Sequence, residues 1–197
     1  DTLTSVEKIA SLTEKPVEQN GNVVLHETNN GLGLEMKNLS FSYDDETEVL
    51  HNISLKVNPG EKVCIKGKGS SGKSTLLRVM AGAYTGFTGN FLLNGLSVGN
   101  YDLSSLRSQT GVLLNQHDIF YGTLWENIAL GNPAIRMESV TDFAARTGLN
   151  EFINTLKNGY DTILDPTGKR LPRSVIHKIL LIRALVGKPG LLLLEEP

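Results

Sequence analysis

The eight residues from Gly67 to Ser74 constrain the fold of this chain more than any other stretch, because they fit the pattern G-x-x-x-x-G-K-[ST]. Such a loop needs glycines that let backbone N–H groups point at a phosphate, a lysine that reaches the β- and γ-phosphates, and a hydroxyl for Mg²⁺. It also needs a strand before it and a helix after it. Residues 61–66 alternate polar and apolar, and residues 74–81 carry apolar side chains at helical spacing. The pattern therefore predicts a strand, a phosphate-binding loop and a helix whose N-terminus faces the anion.

The composition is that of a globular domain and argues against two other classes of protein. The chain has 197 residues, of which 40% are hydrophobic, so we expect one packed domain with room for an inserted subdomain. A net charge of -2 provides no basic stripe, and we expect no nucleic-acid partner. No run approaches the roughly 18 consecutive apolar residues of a membrane span. The single cysteine, Cys64, cannot form an internal disulfide, and its place in the predicted strand favours a buried side chain in a reducing compartment.

The region before the phosphate loop divides into a linker and a β layer. Residues 1–31 are polar for most of their length and predict a linker, which opens with a short amphipathic helix over Asp1–Ala10. The folded domain is expected to begin near Leu32 and to run to the end of the chain. Apolar and β-branched residues over 34–43 and 53–57 then predict two strands of an antiparallel layer.

The region after the loop predicts an α/β core with a helical insertion. Residues 86–95 and 111–114 have the pattern of strands, and Leu191–Leu194 has that of a fully buried strand. Helical spacing makes about 122–186 an α-helical subdomain, with helices over Thr123–Leu130, Met137–Thr147, Asn150–Leu156 and Ser174–Val186. The fold class is therefore α/β: a P-loop NTPase core with an antiparallel β layer and an inserted helical subdomain, truncated after the strand that ends in two acids.

Four further segments resemble a known family. They read "LHNISLKVNPGEKVCIKGKGSSGKSTLLRVMAG", "LRSQTGVLLNQHDIFYGTLWENIALG", "FINTLKNGYDT" and "IRALVGKPGLLLLEEP". Their content and order are similar to the nucleotide-binding domain of ATP-binding-cassette (ABC) transporters, from about Leu34 to Pro197, and the first and third resemble the exporter branch. The segment "TSVEKIASLTEKP" is similar to the linker that follows an exporter's last membrane helix. The resemblance implies membrane helices before Asp1 in the parent protein, with this domain at the cytoplasmic face of the membrane.

The resemblance also implies a site for ATP and Mg²⁺. Tyr43 stands where the family stacks an aromatic ring on adenine, although a core or strand-edge tyrosine is the alternative. Gln116 matches the glutamine that senses Mg²⁺ and the γ-phosphate, and Glu196 matches the carboxylate that polarises the attacking water. The catalytic residues would be Glu196, Gln116 and Lys73, the metal ligands Ser74, Gln116 and Glu195, and the ATP-binding residues Tyr43, Gly67, Lys68, Gly69, Ser70, Ser71, Gly72, Lys73, Ser74 and Thr75.

Three parts of the chain depart from the family's pattern. Glu195 stands where the family has an aspartate that helps to hold Mg²⁺. The glutamate keeps the negative charge, but its side chain is one methylene longer. The signature segment, L-S-G-G-Q in the family, is replaced by Leu171, Pro172, Arg173, Ser174 and Val175. In the family this segment binds the γ-phosphate held by the opposite subunit, and Pro172 offers neither a hydroxyl nor an N–H. Arg173 is either a substitute cation, like an arginine finger, or a solvated side chain. Pro166 replaces an acidic residue that precedes the signature.

Two functions remain open on these residues. The first is the ATP-hydrolysing motor of a membrane exporter, which forms an ATP-dependent homodimer or heterodimer with a second nucleotide-binding domain and works with transmembrane domains. The second is a regulatory module that binds ATP, hydrolyses it slowly and pairs with a competent subunit. An intact Glu196 favours the motor, whereas Glu195 and the altered signature favour the module. A soluble nucleotide kinase or a non-transport cassette protein is disfavoured by the linker-like Thr4–Pro16. The transported substrate cannot be read from this chain.

Overall fold

The structure is a computed structural model that describes residues 20–26, 30–43, 47–115, 118–166 and 171–195. The predicted helix over Asp1–Ala10 and two predicted site residues, Gln116 and Glu196, lie outside the described residues.

An antiparallel sheet forms one layer of the molecule, as the sequence predicts. Its strands follow the order β2-β1-β3-β4. β1 pairs with β2 and β3, so that Leu34 lies opposite Val57 on one side and Leu93 on the other. Asn94 and Gly95 form the tight turn between β3 and β4 with positive φ of 47° and 81°, the conformation of a hairpin turn. The four strands are β1 (Leu34–Ser42), β2 (Glu48–Val57), β3 (Thr88–Leu93) and β4 (Leu96–Ser97).

The predicted helix after the phosphate loop is present as α1 (Lys73–Met80). Its apolar face buries Leu76, Val79 and Met80 in the main core, together with the inner faces of β1 and β3. The sequence did not predict the next helix, α2 (Leu103–Ser108), which is only six residues long and buries none of its own residues. This helix begins at Asp102, whose carboxylate accepts the N–H of Ser105, and leads into β5 (Thr110–Leu113).

The predicted strand over residues 61–66 is wrong for this structure. These residues form no strand, and Val63 is 45% exposed. A strand needs a hydrogen-bonded neighbour, and none of the described strands pairs with this segment. Cys64 is exposed, so its predicted burial is wrong for the same reason.

The predicted helical insertion packs around a core of its own. A short antiparallel pair closes it, formed by β6 (Gly122–Thr123) and β7 (Ile163–Leu164). Val140, Leu149, Ile179 and Ile182 are almost inaccessible in this second core. Its helices are α3 (Leu124–Ala129), α4 (Met137–Thr147), α5 (Leu149–Ile153) and α6 (Arg173–Leu185). No helix in the described ranges has both the length and the apolar character that a membrane crossing requires.

The last strand, β8 (Leu191–Leu194), pairs in parallel with β5 in a separate two-stranded sheet, and its Leu193 packs in the main core. The register places Thr110 opposite Leu191 and Leu113 opposite Leu194. Since parallel strands end at the same edge of a sheet, Asn115 after β5 and Glu195 after β8 lie side by side.

Residues 20–26, within the predicted linker, also contact the domain. Leu25 is buried in the main core, and its N–H donates to the hydroxyl of Ser105. The N–H of Val23 donates to the carbonyl of Asn100. The boundary between linker and domain near Leu32 stays a prediction.

Candidate phosphate-binding site

The loop before α1 leaves backbone donors open at the start of the helix. Ser70 and Gly72 both have positive φ, of 59° and 83°, and such left-handed residues turn successive N–H groups into one concave surface. No side chain caps the first N–H groups of α1. A Cβ on Gly72 would lie 2.9 Å from Leu50 Cδ2 and 3.0 Å from the carbonyl oxygen of Val49, so only glycine fits beneath β2. These features suit the binding of an anion at the N-terminus of α1.

Lys73 lies across this loop. Its Nζ donates to the carbonyl oxygens of Gly67, at 2.9 Å, and Lys68, at 2.7 Å, and is 3.4 Å from the Ser71 hydroxyl. The ammonium group therefore adds a positive charge to the surface formed by the N–H groups. The predicted phosphate-binding residues Gly67, Lys68, Ser71 and Lys73 are brought together by these contacts.

Two predicted metal ligands meet at the end of β8. The hydroxyl of Ser74 donates to Oε1 of Glu195, and the N–H of Asn115 donates to Oε2 at 3.0 Å. Partial burial raises the pKa of the Glu195 carboxyl, but the hydrogen bonds from Ser74 and Asn115, with the positive charges of Arg78 and Lys73, outweigh it and lower that pKa overall. The group is therefore a carboxylate at neutral pH.

The donor set at this point suits Mg²⁺. Magnesium prefers oxygen ligands and keeps several waters, so one hydroxyl and one carboxylate from the protein are a normal contribution. Within the described ranges, no group of three or more His, Cys, Asp or Glu residues could hold a metal ion. Gln116, the third predicted ligand, and Glu196, the predicted catalytic carboxylate, follow Asn115 and Glu195 directly but lie outside the described residues.

Tyr43 lies beside the phosphate loop, at the end of β1. Its hydroxyl is 2.8 Å from that of Thr75 in the first turn of α1, and the residue is 52% exposed. Both features suit a ring that contacts a nucleotide bound at the loop. The ring also contacts Phe41 and Tyr84.

The segment that replaces the family's signature lies at the start of α6. Pro172 is the N-cap, and its carbonyl accepts the N–H groups of Val175 and Ile176. Proline is compatible with this position because the observed φ of -54° lies in its fixed range and its missing N–H would have had no helical partner. Val175 is buried and Leu171 packs on the second core, whereas Pro172, Arg173 and Ser174 are exposed. The helix start is thus kept, and its outer surface carries larger side chains than the family's glycines.

Sequence reasoning missed a buried polar contact behind the site. Asn127 is 0% exposed, and its amide group accepts the N–H of Phe120 while donating to the carbonyls of Phe120 and Thr123. Arg183 of α6 donates to the carbonyl of Asn127 at 2.6 Å and to that of Asp118 at 3.2 Å. Together they hold the segment that follows Gln116 against α3 and α6. A signal was available, because Leu124, Asn127 and Ile128 share one face of α3, and a polar residue on an apolar face is unusual.

Two curated proteins are similar to this chain in sequence. The chain is 36% identical over 165 residues to the putative multidrug export ATP-binding/permease protein YgaD of Bacillus subtilis. This alignment covers 83% of the chain and 28% of that relative. It is 34% identical over 194 residues to the alpha-hemolysin translocation ATP-binding protein HlyB of Escherichia coli O157:H7. This alignment covers 98% of the chain and 27% of that relative. The chain thus spans about a quarter of the length of these curated relatives.

A solved structure and a family description agree with these relatives. The structure of a bacterial Atm1-family ABC exporter with ATP bound superimposes with a TM-score of 0.84 at 27% identity, covering 98% of this chain and 34% of that one. The family described as ABC transporter matches residues 50–197, which include the phosphate loop and the strand that leads to Glu195. On these grounds the chain belongs to the ABC transporter family.

Proposed function

We propose that this chain is the ATP-binding and ATP-hydrolysing motor domain of a membrane exporter, in which it adjoins transmembrane domains at the cytoplasmic face. The names of YgaD and HlyB, an export and a translocation ATP-binding protein, support an exporter. The observation that carries the proposal is the meeting of the phosphate loop, the first turn of α1 and the end of β8. Lys73 of α1 contacts the loop, and Ser74 of α1 contacts Glu195, which follows β8. This combination is what phosphoryl transfer from a Mg²⁺-bound nucleotide requires.

Each residue of the site would have a distinct task. The open N–H groups at the start of α1 and the ammonium of Lys73 bind the phosphates, because they present fixed positive charge at a helix N-terminus. Ser74 and Glu195 would hold Mg²⁺, which when bound would neutralise phosphate charge. Glu196 would orient the attacking water and accept its proton, and Gln116 would serve as a further ligand of the metal and a sensor of the γ-phosphate. Since such a reaction needs little covalent help, most of the acceleration comes from positioning and charge.

A second nucleotide-binding domain would complete the site. Pro172, Arg173 and Ser174 lie in the helical part of the molecule, at the exposed start of α6, where they can face a partner. Arg173 at this helix start carries a positive charge, but it replaces a glycine whose N–H would approach a phosphate closely. The proposed dimer therefore binds ATP with one normal surface, the phosphate loop, and one altered surface, the signature segment.

The altered signature also supports a second function. A domain with Pro172, Arg173 and Ser174 in place of donors, and with Glu195 in place of an aspartate, would bind ATP but hydrolyse it slowly. Such a domain would serve as a regulatory module beside a competent subunit that supplies an intact signature. The two functions differ in turnover, since both require nucleotide binding.

Nucleotide binding is tested by titrating the chain with a fluorescent ATP analogue in the presence of Mg²⁺. We expect Lys73→Ala to abolish binding, because the ammonium that spans the loop is lost. Lys62→Ala is the matched control, since Lys62 is exposed and precedes the loop. Unchanged affinity in the Lys73 variant would contradict the proposal, as would equal losses in both variants.

The exporter context is tested on the parent polypeptide. We expect the full-length protein to be recovered with the membrane fraction after cell lysis, and to release phosphate from ATP in that state. Recovery in the soluble fraction alone would refute the exporter while leaving nucleotide binding intact. Phosphate release only after mixing with a second subunit would favour the regulatory module.

A further inference from the structure

Three aromatic rings form a cluster beside the phosphate loop. Tyr43 makes edge-to-face contacts with Phe41, at 5.2 Å between ring centroids and 84° between planes, and with Tyr84, at 5.4 Å and 88°. Phe41 and Tyr84 stack on each other at 5.2 Å and 25°. Every ring thus contacts the other two in a geometry that aromatic pairs prefer. Tyr43 is perpendicular to a nearly parallel pair, which defines the orientation of its ring.

The cluster is anchored in the core on one side. Phe41 is 6% exposed and belongs to the main core, and Tyr84 is half-buried and packs against the same core. Tyr43 is the outermost of the three, with 52% of its surface exposed. A buried ring and a half-buried ring therefore support a ring that remains accessible.

The second support of Tyr43 comes from α1. The Tyr43 hydroxyl is bonded to Thr75 at the start of this helix, while Tyr84 follows its C-terminal end by four residues. Tyr43 consequently contacts the first turn of the helix that carries Lys73 and Ser74, and also a residue in the turn after that helix. The contact with Thr75 lowers the pKa of the Tyr43 hydroxyl, partial burial opposes this, and Arg78 and Tyr84 lower the pKa further. The tip of the ring thus lies among groups from α1 and the turn that follows it.

We propose that Tyr84 is a positioning residue for base recognition: it holds the ring of Tyr43 ready to stack on the nucleobase of a nucleotide bound at the phosphate loop. This inference rests on the proposed function, ATP binding at the phosphate loop, and on the contact between Tyr43 and adenine that the family resemblance implies. A free ring on a strand end would lose rotational freedom on binding, whereas a ring already fixed by Tyr84 and Thr75 does not. The contribution of Tyr84 therefore depends on a base being present, and it is absent for a ligand that has phosphates alone.

The test compares Mg·ATP with Mg·tripolyphosphate, which lacks both base and ribose. Affinities are measured by calorimetric titration of the chain and its variants. We expect Tyr43→Ala to weaken Mg·ATP by about 5- to 150-fold, the range for base–aromatic stacking, and to leave tripolyphosphate unchanged. We expect Tyr84→Leu to weaken Mg·ATP by about three- to tenfold, again without an effect on tripolyphosphate. Tyr84→Phe keeps the ring and should retain the native affinity.

Tyr121→Leu is the matched control, since Tyr121 is an exposed tyrosine outside the cluster. Native ATP affinity in Tyr84→Leu, with a loss in Tyr43→Ala, would overturn the positioning role and leave the proposed function standing. Native affinity in both variants would overturn both the contact between Tyr43 and adenine and the positioning role of Tyr84, and would leave phosphate binding at the loop standing. An equal loss of ATP and tripolyphosphate in Tyr84→Leu would also overturn the inference, because it would show a general effect on the loop. Should Tyr84→Leu fail to fold, Tyr84→Met is measured with the same expected results.

Discussion

At the start of α1 the backbone N–H groups are open, whereas at the start of α6 a proline and an arginine occupy the corresponding surface. Neither helix has a side chain that caps its first N–H groups, so both present the positive end of a helix dipole. What separates them is space. Gly72 precedes α1 with a left-handed φ of 83° and packs directly under Val49 and Leu50. A helix N-terminus becomes a phosphate site only where small residues let the ligand reach the N–H groups.

The largest effect is expected where the first helix start depends on glycine. Gly72→Ala combines a left-handed φ with a contact of 3.0 Å to the backbone oxygen of Val49, and we expect it to lower the free energy of unfolding by about 2–4 kcal/mol. Gly82→Ala is the control, because Gly82 also has a positive φ of 74° but nothing lies within 4 Å of an added Cβ. It should cost about 1 kcal/mol. Urea denaturation measures both, and equal losses would show that the contact with β2 does not matter.

The second prediction concerns a variant in which small residues replace the large ones at the start of α6, as at the start of α1. Each preorganised donor to a developing charge contributes about 10²–10³ in rate in other enzymes, and the altered signature lacks several donors. We expect the triple variant Pro172→Ser, Arg173→Gly and Ser174→Gly to release phosphate at least tenfold faster at saturating ATP, with unchanged ATP affinity. Serine also suits the N-cap, although the two glycines cost helix stability of about 1 kcal/mol each. If the native protein already releases phosphate as fast as the triple variant, the start of α6 supports catalysis as it stands, and the difference from α1 has no effect on the rate.

The third prediction concerns the carboxylate that joins the first helix to β8. Glu195 reaches both the Ser74 hydroxyl and the N–H of Asn115. The arm of Glu195→Asp is one methylene shorter and cannot keep both contacts in the same geometry. We expect the Mg²⁺ concentration needed for half-maximal phosphate release to fall about two- to fivefold, because a carboxylate released from one of these bonds, on the family's shorter side chain, can adopt the near-ideal octahedral geometry that magnesium demands. A rise in that concentration would show that the longer arm is adapted to this site.

The smallest effect is expected for Arg173 alone. Its side chain is exposed at the start of α6, and an arginine that acts on a phosphate must be held rigidly. We expect Arg173→Ala to change phosphate release by less than about twofold. Arg136→Ala, at the N-cap of α4 in the same helical part, is the matched control. A clear loss in the Arg173 variant alone would make Arg173 an active finger and α6 a working phosphate site of a different design.

The sequence predicts most elements because their signals are local. α4 is predicted at its observed ends, Met137 and Thr147, since its apolar residues keep a helical period and Gly148 ends it with a left-handed φ. β8 is equally clear as an apolar run. Residues 61–66 have a strand's alternation but no described partner, and pairing is not a local property. α2 was missed because six residues without a buried face leave no periodic pattern.

In the site, too, the features set by consecutive residues could be predicted, and the contacts between distant residues could not. The phosphate loop is predicted residue by residue, because its chemistry follows from consecutive positions. The bond between Tyr43 and Thr75 joins residues 32 positions apart, and no pattern in the sequence marks it. The buried amide of Asn127 had a signal in the apolar face of α3, but its partners at Phe120 and Thr123 follow only from the turn that the chain makes there.

The parallel pairing of β5 with β8 has a consequence for how the molecule folds. The contact between Asn115 and Glu195 spans 80 residues of chain, and that between Ser74 and Glu195 spans 121. Closing such loops carries an entropic cost that falls when the intervening chain compacts, and residues 119–186 compact around their own core. We therefore expect the contacts of Glu195 with Ser74 and Asn115 to form late in folding. A ligand that requires Glu195 in this position binds only the folded protein, and its binding shifts the folding equilibrium toward the folded state.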